Sequence, residues 1–196
     1  MSYQVVTPAS GLILTTAEAK AQIVVEHSAD DAYIDGLIAA AQRLIETKLS
    51  RQLLPATLRL HRDRFPCGSD RTIWLRRPPV QSVESVKYVA SDGTLTTLDP
   101  SAYIVDEFFT PPRIVRANGA SWPAARVGPQ AVQVTFVAGY VNAAAVPATI
   151  KQAALLLIDH WYENRSAVAF GTIASDLPQG VEALLSAESW GGWCDE

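Results

Sequence analysis

The segment AYIDGLIAAAQRLIETKL at residues 32–49 carries the strongest structural signal in the chain. Its apolar residues recur at steps of three and four, which predicts one amphipathic α-helix; they are Ile34, Leu37, Ile38, Ala41, Leu44, Ile45 and Leu49. Asp30 and Asp31 precede the segment, where carboxylates favour the positive end of a helix dipole. Pro55 ends the helical stretch. Because such a helix is stabilised mainly by what covers its apolar face, another part of the chain must pack against it.

That partner is predicted near the other end of the chain, at residues 147–165. Pro147 suits the first position of a helix, and the following residues form a broad apolar face: Ile150, Ala153, Ala154, Leu157, Ile158 and Trp161. A capping box of Thr15 and Glu18 predicts a short helix near the N-terminus. Residues 181–189 predict a last short helix. The helices at each end are too few to form a core alone, so the two groups are expected to pack as one bundle.

Between these helices the apolar spacing becomes alternating. Leu58 and Leu60 alternate with polar residues, and residues 132–137 show the same two-residue period. Asp92-Gly93 lies between two β-rich runs and predicts a hairpin. Eight of the 12 prolines lie between residues 66 and 129, which divides this region into short strands.

The predicted fold class is therefore α+β. A small helical bundle is formed by the N-terminal and C-terminal helices, with an inserted, mostly antiparallel β domain. The expected boundaries are residues 1–56 and 146–189 for the two parts of the bundle, residues 57–145 for the β domain, and residues 190–196 for a C-terminal arm.

Composition is that of an ordinary globular protein, with 48% hydrophobic and 18% charged residues. No apolar run approaches the roughly 20 residues that a bilayer span needs. The first residues lack the basic and apolar regions of a signal peptide, so the chain is expected in the cytoplasm, with no membrane partner. Cys67 and Cys194 lack the paired spacing of a zinc site, which favours two reduced, structurally neutral thiols.

Charge is unevenly distributed, although the formal net charge is only -4. Residues 57–87 contain seven basic and three acidic side chains, whereas residues 147–196 contain two basic and seven acidic ones. Two interpretations remain open. The charges are either solvated faces of the fold or complementary surfaces between subunits or partners.

Motifs for catalysis are absent from the sequence. It contains neither GxSxG nor GxGxxG nor GxxxxGK[ST], which excludes the common nucleophile elbow and phosphate cradles. His160 and Glu163 are spaced to share a helix face, but no second Glu-x-x-His completes a carboxylate metal site. The interpretation favoured over a metal pair is the polar end of a helix, and the acids at residues 30 and 31 are expected to cap a helix.

Two further features suggest binding. The arginines of residues 59–77 have Phe65 and Trp74 nearby, but no recognisable RNA-binding or cold-shock motif, so an acidic protein neighbour is favoured over nucleic acid. Trp190 and Trp193 lie among glycines at the C-terminus. They either fold back onto the bundle or form an arm that docks into another protein, where tryptophan often dominates binding.

Several stretches follow one another in a familiar order: LTTAEAK at 14–20, DDAYI at 30–34 with AAA at 39–41, LRRPPVQSV at 75–83, VPATIKQA at 146–153 leading to HWYENR at 160–165, and LPQGVEALL at 177–185. In this order and spacing the chain resembles the head-tail connector proteins (adaptor or head-completion proteins) of long-tailed bacteriophages and gene transfer agents. The resemblance covers nearly the whole chain.

The resemblance implies a structural protein and not an enzyme, with no catalytic residue, cofactor or metal to carry over. Such proteins form a ring, commonly of twelve subunits, below the portal; the ring extends the DNA channel and joins capsid to tail. The implied partners are other copies, the portal and the next tail or stopper component, with DNA passing through unbound. The implied location is the neck of a virion or phage-like particle assembled in the host cytoplasm.

Candidate residues follow from the resemblance and the charges. The C-terminal segment of such proteins commonly reaches the portal, which makes Leu184, Leu185, Trp190 and Trp193 portal-binding candidates. The subunit-interface candidates are Arg59, Arg62, Arg64, Arg76, Arg77, Glu163 and Arg165. Acidic helices are expected to face the channel, because each phosphate contact would hold DNA back.

Three alternatives remain. One is a tail-completion or stopper protein at the same junction, which would bind the adaptor instead of the portal. Another is a small metal-dependent hydrolase that uses His160 and Glu163. The third is a basic nucleic-acid-binding module centred on residues 59–77.

Overall fold

The computed structural model describes residues 2–67, 72–165 and 178–189, and the chain divides into two compact units. The β unit comprises Met1–Ser10 and Leu54–Val141. The helical unit comprises Gly11–Leu53 and Asn142–Glu196. The predicted α+β class, with terminal helices joined in one bundle around an inserted antiparallel domain, is confirmed.

The helical unit contains α1 (Thr16–Ile23), α2 (Asp31–Leu49), α3 (Ala148–Glu163) and α4 (Gln179–Ala187), with a short 3₁₀ helix at Ala143–Ala145. The long helices α2 and α3 pack against each other, and α1 and α4 both contact α3. Most of the predicted apolar stripe is buried in the bundle, whereas Leu37, Leu44 and Trp161 are half-buried. The buried members are Ile34, Ile38, Ala41, Ile45, Leu49, Ile150, Ala153, Ala154, Leu157 and Ile158.

The predicted capping box starts α1. The side chain of Thr15 accepts the Glu18 N–H at 3.2 Å, and the Glu18 carboxylate accepts the Thr15 N–H at 2.7 Å. Two of the unpaired donors at the helix start are thereby satisfied. Pro147 precedes α3 as its N-cap and is not its first helical residue, a shift of one position from the prediction.

The described residues of the β unit form eight strands, with a 3₁₀ helix at Pro100–Ala102. The strands are β1 (Ser2–Thr7), β2 (Ala56–Arg62), β3 (Ile73–Trp74), β4 (Val80–Val89), β5 (Leu95–Thr97), β6 (Tyr103–Asp106), β7 (Arg113–Arg116) and β8 (Val132–Ala138). A five-stranded sheet has the order β1-β2-β8-β4-β5, and a three-stranded sheet the order β3-β7-β6. Every pairing between these strands is antiparallel. The hairpin predicted at Asp92-Gly93 joins β4 to β5, and Gly93 supplies the positive φ of the turn.

One core holds the two sheets together. Leu58 and Leu60 face inward from β2, opposite Phe136 and Val134 of β8. Ile73 and Ile114 of the small sheet are fully buried in the same cluster. The apolar and polar residues that alternate in the sequence therefore lie on the core face and on the outer face of the sheet, respectively.

The structure differs from the expected boundaries at the N-terminus. Residues 1–56 were assigned to the helical bundle, but Ser2–Thr7 pairs antiparallel with β2 and belongs to the β unit. Five of its six side chains are exposed, so the strand has no buried alternating face that a sequence could reveal. Tyr3 alone turns to the core, where its ring meets Phe136 edge-on at 6.3 Å.

Gly139 lies where the chain leaves the five-stranded sheet. Its φ is +114°, and a Cβ built on it would lie 2.3 Å from the carbonyl oxygen of Leu54. Its N–H donates to Pro79 O at 2.8 Å. The chain therefore enters and leaves the β unit at touching backbone positions, which only glycine permits.

No helix within residues 2–67, 72–165 and 178–189 has both the length and the apolar character needed to cross a bilayer.

A pair of alanine substitutions tests the role of Gly139. Gly119→Ala introduces a side chain at φ +76° with nothing within 4 Å, and should destabilise by about 1–2 kcal/mol from conformation alone. Gly139→Ala adds the clash with Leu54 O, and should cost more than about 3 kcal/mol or prevent folding. Denaturant unfolding of both variants measures the difference. Equal losses would show that the Leu54 contact imposes no constraint.

Candidate interaction surfaces

Three of the predicted interface arginines gather around one tyrosine of the β unit. The Tyr3 hydroxyl accepts the backbone N–H of Arg76 at 2.8 Å, and the Arg77 guanidinium lies 6.0 Å from the centre of the Tyr3 ring. Burial raises the pKa of Tyr3 above its ordinary value, while the charges of Arg77, Arg76 and Arg62 act in the opposite direction. β1, which the sequence did not reveal, therefore organises a basic surface drawn from two distant segments.

The other two predicted interface arginines of the β unit, Arg59 and Arg64, are not among these contacts of Tyr3. Arg59 points to the outer face of the five-stranded sheet, where its Nε donates to Thr135 Oγ1 at 3.3 Å. His61 shares that face and lies 3.2 Å from Gln4 Oε1; burial and then the Arg59 charge lower the pKa of His61. Arg64 is exposed after the end of β2. The predicted set of five arginines is thus not one continuous patch.

In the helical unit, Arg165 is held within its own chain. Its guanidinium donates to Asp30 Oδ2 at 2.7 Å and lies 4.8 Å from the Tyr33 ring centre and 4.5 Å from that of Tyr162. The Tyr162 hydroxyl donates to the same carboxylate oxygen at 2.6 Å. This aromatic–arginine cluster ties the start of α2 to the end of α3, while Glu163 is exposed beside it.

The acids at the start of α2 therefore play different parts from those expected. Asp30 is the N-cap residue but makes no side-chain capping bond, so the capping expectation is wrong for it. Its carboxylate instead accepts hydrogen bonds from Tyr162 and Arg165. Both bonds lower the pKa of Asp30, and the bond from Tyr162 has the larger effect. Asp31 pairs with Lys20 at 2.8 Å. Both carboxylates are engaged in structural contacts.

The portal-binding candidates differ in how much of their surface is exposed. Leu185 is buried in the helical unit with 6% of its surface exposed, whereas Leu184 is half-buried. Trp190 and Trp193 lie outside the described residues. Leu185 thus contributes to the core of its own unit, and only Leu184 of the two leucines has surface available to a partner.

His160 and Glu163 are both exposed on α3. Among the described residues, no group of three or more His, Cys, Asp or Glu side chains is arranged to hold a metal ion.

The two units carry opposite formal charge. Within the described residues, the β unit has nine basic and six acidic side chains, and the helical unit has six basic and ten acidic ones. The formal charges are therefore +3 and -4 respectively. The unevenness seen in the sequence follows the division of the chain into units.

The sequence analysis did not predict one exposed surface, the loop between β6 and β7. The loop between β6 and β7 exposes Phe108 almost completely, at 98%, and Phe109 at 38%. The signal that could have revealed it was a pair of phenylalanines at the point where two short strands turn, since a turn is normally polar.

The fold is that of a two-part α+β protein, and its surface carries clusters of charged and aromatic side chains, which are common in protein–protein contacts. The chain belongs to the head completion protein family, whose model matches residues 12–182. The resemblance read from the sequence is thereby confirmed.

Several solved structures are similar to this chain over its full length. A chain from the neck of an empty GTA particle, computed with C6 symmetry, is 26% identical with a TM-score of 0.80 and covers 100% of this chain and 99% of its own. A chain from the neck of a native GTA particle with C12 symmetry is 27% identical, with a TM-score of 0.73 and the same coverage. A chain from the virion of a native gene transfer agent (GTA) particle, 24% identical with a TM-score of 0.79, shares the fold and the same coverage. A search of curated proteins found no match.

Asp30→Asn tests the aromatic–arginine cluster through pH. Because the folded pKa of Asp30 is lowered, its ionised form stabilises the fold above the unfolded aspartate value of about 4. That contribution is lost as pH falls through the folded value. The Tm of the native chain should therefore exceed that of Asp30→Asn at neutral pH, and the two should converge in acid.

Tyr162→Phe is the matched variant, since it removes one donor to Asp30 and keeps the ring beneath Arg165. Its acid-dependent loss of stability should start at the same pH, which the unfolded aspartate sets, but should be smaller and end at a higher pH than in the native chain, because the pKa of Asp30 is lowered less. Parallel Tm curves for the native chain and Asp30→Asn would contradict the assignment.

Proposed function

We propose that this chain is a structural subunit of the head-to-tail neck of a phage or phage-like particle, where copies of it close a ring. The observation that carries the proposal is the full-length likeness to chains from GTA necks solved with C6 and C12 symmetry. Membership of the head completion family supports the same location. The proposed role is mechanical and not enzymatic: the ring joins the capsid to the tail.

Electrostatics supports ring formation. A closed ring is built from heterologous contacts, in which one surface of each subunit meets a different surface of the next. The formal charges of +3 on the described residues of the β unit and -4 on those of the helical unit provide two such surfaces of opposite sign on one chain. Attraction between opposite charges favours contact between the two different surfaces of neighbouring copies. Contact between two identical surfaces is disfavoured because their charges repel.

The finer details form part of the proposal. Twelve copies lie below the portal and extend its channel, and DNA passes through without specific binding. The acidic helices face that channel, because carboxylates repel phosphates and leave the DNA free to move. Leu184, Trp190 and Trp193 contact the portal; Leu185 does so only if α4 leaves its present packing.

Size-exclusion chromatography with light scattering, with and without purified portal protein, tests the partner. A ring that elutes with the portal is expected. Binding to an adaptor ring but not to the portal would instead identify a stopper protein. Electron microscopy of particles that carry an epitope on this chain tests the location, and label absent from the neck would refute the proposal.

Charge reversal tests the basic surface around Tyr3. Arg76→Glu with Arg77→Glu should weaken ring assembly strongly, because it replaces two attractive charges with two repulsive ones. Lys87→Glu with Arg126→Glu is the matched control, with the same change in net charge elsewhere in the β unit. Light scattering measures assembly, and thermal unfolding verifies that both variants fold. Equal weakening in both would show that net charge matters and the Tyr3 surface does not.

A further inference from the structure

The loop between β6 and β7 is built on a fixed stem. Arg113 Nε donates to Asp106 Oδ2 at 2.9 Å across the strand ends. The same guanidinium lies 4.0 Å from the centre of the Phe109 ring, which lies 5.6 Å from the ring of Trp74. Behind the tip, Leu75 N–H donates to Pro112 O at 2.8 Å. Ion pair, ring contacts and backbone bond all hold the stem in one position.

Phe108 is the most exposed apolar side chain of this hairpin, in which Ile104 is 52% and Phe109 38% exposed. Phe108 is 98% exposed, more than any other large apolar residue in the described part of the chain. A phenylalanine can bury about 150–250 Å² against a partner, and none of that area is used within this chain. A rigid base limits the entropy lost when such a tip docks, which is the property of an interface anchor.

Charges near this tip are mostly positive. Arg76 and Arg77 follow β3, which pairs with β7 in the stem. Arg113 at the loop end of β7 pairs with Asp106, and Glu107 adjoins Phe108, so the excess positive charge comes from Arg76 and Arg77. An apolar surface rimmed by carboxylates would complement it.

The helical unit offers such a surface at the turn between α1 and α2. Val24 there is 86% exposed and has a φ of +55°, a conformation in which a β-branched residue is strained and glycine is cheaper. Residues 15–35 hold five carboxylates, of which Asp31 pairs with Lys20 and Asp30 with Arg165, so the excess negative charge there comes from Glu18, Glu26 and Asp35. The turn therefore combines an exposed apolar side chain with acidic surroundings.

We infer that the β6–β7 hairpin of one copy docks, through Phe108, onto the α1–α2 turn around Val24 of the next copy. The inference rests on the proposed ring, for which it supplies one heterologous contact. The same contact pairs the positively charged unit of one subunit with the negatively charged unit of its neighbour, so the apolar anchor and the charges favour the same orientation.

Mixing two single-cysteine variants of the full chain tests this contact. In a background with Cys67→Ser and Cys194→Ser, one variant carries Phe108→Cys and the other Val24→Cys. A disulfide between them can form only between copies. Oxidation of the mixture under conditions where light scattering detects rings should give several-fold more mixed dimer than a control mixture of Leu95→Cys with Val24→Cys. Leu95 is a fair control because it is also in the β unit and 54% exposed.

The outcomes separate this inference from the proposed function. Rings without excess mixed dimer would overturn the docking contact and leave the ring intact. A dominant Phe108→Cys homodimer would overturn it in favour of a two-fold contact. If rings form only in the presence of the portal, the mixture is oxidised there, and an adduct of Phe108→Cys with portal protein would overturn it in favour of that partner. No ring under either condition, with the chain absent from particle necks, would refute the proposed function and this contact together.

Discussion

The pairing of β2 with β8 is the constraint on which the rest of the chain depends. These strands lie far apart in sequence, yet they run in uninterrupted register from Ala56 opposite Ala138 to Arg62 opposite Val132. Where the pairing ends, the Gly139 backbone meets Leu54 O with no room for a side chain. The β unit is thereby closed at its base, and the segments that leave it start close together. An insertion of this kind lets the helices before and after it form one bundle.

The chain's surfaces also depend on contacts between distant residues. The strand β1 adds Tyr3 to the sheet, and the arginines from β2 and from the segment after β3 meet around that ring. In the helical unit, Asp30 joins α2 to α3 by accepting from both Tyr162 and Arg165. In both places an aromatic side chain orders arginines, since the face of a ring attracts a cation and its hydroxyl provides a hydrogen-bonding group. One cluster leaves basic charge on the surface, and the other uses Arg165 to hold its own helices.

Segregated charge connects the fold to its proposed role. Within the described residues, the inserted unit is net positive and the host bundle net negative, so in the proposed ring these two surfaces would attract each other between neighbouring copies. The charge contact sets orientation and rate more than affinity, which leaves affinity to apolar anchors such as Phe108. A structural subunit of a neck needs both properties, because a ring must close in one direction and then resist force.

The sequence by itself determined the helices, the hairpin at Asp92-Gly93, the α+β class and the family, because these follow from local spacing and the order of short motifs. Apolar periods and a capping box act over a few residues, so they can be read before folding. Only the tertiary structure decided that Ser2–Thr7 is a strand, that Arg165 and Asp30 are bound to each other, that Leu185 is buried and that Phe108 is not. Each of these depends on which distant residue is adjacent, and adjacency is set by strand pairing and helix packing, which no local pattern records.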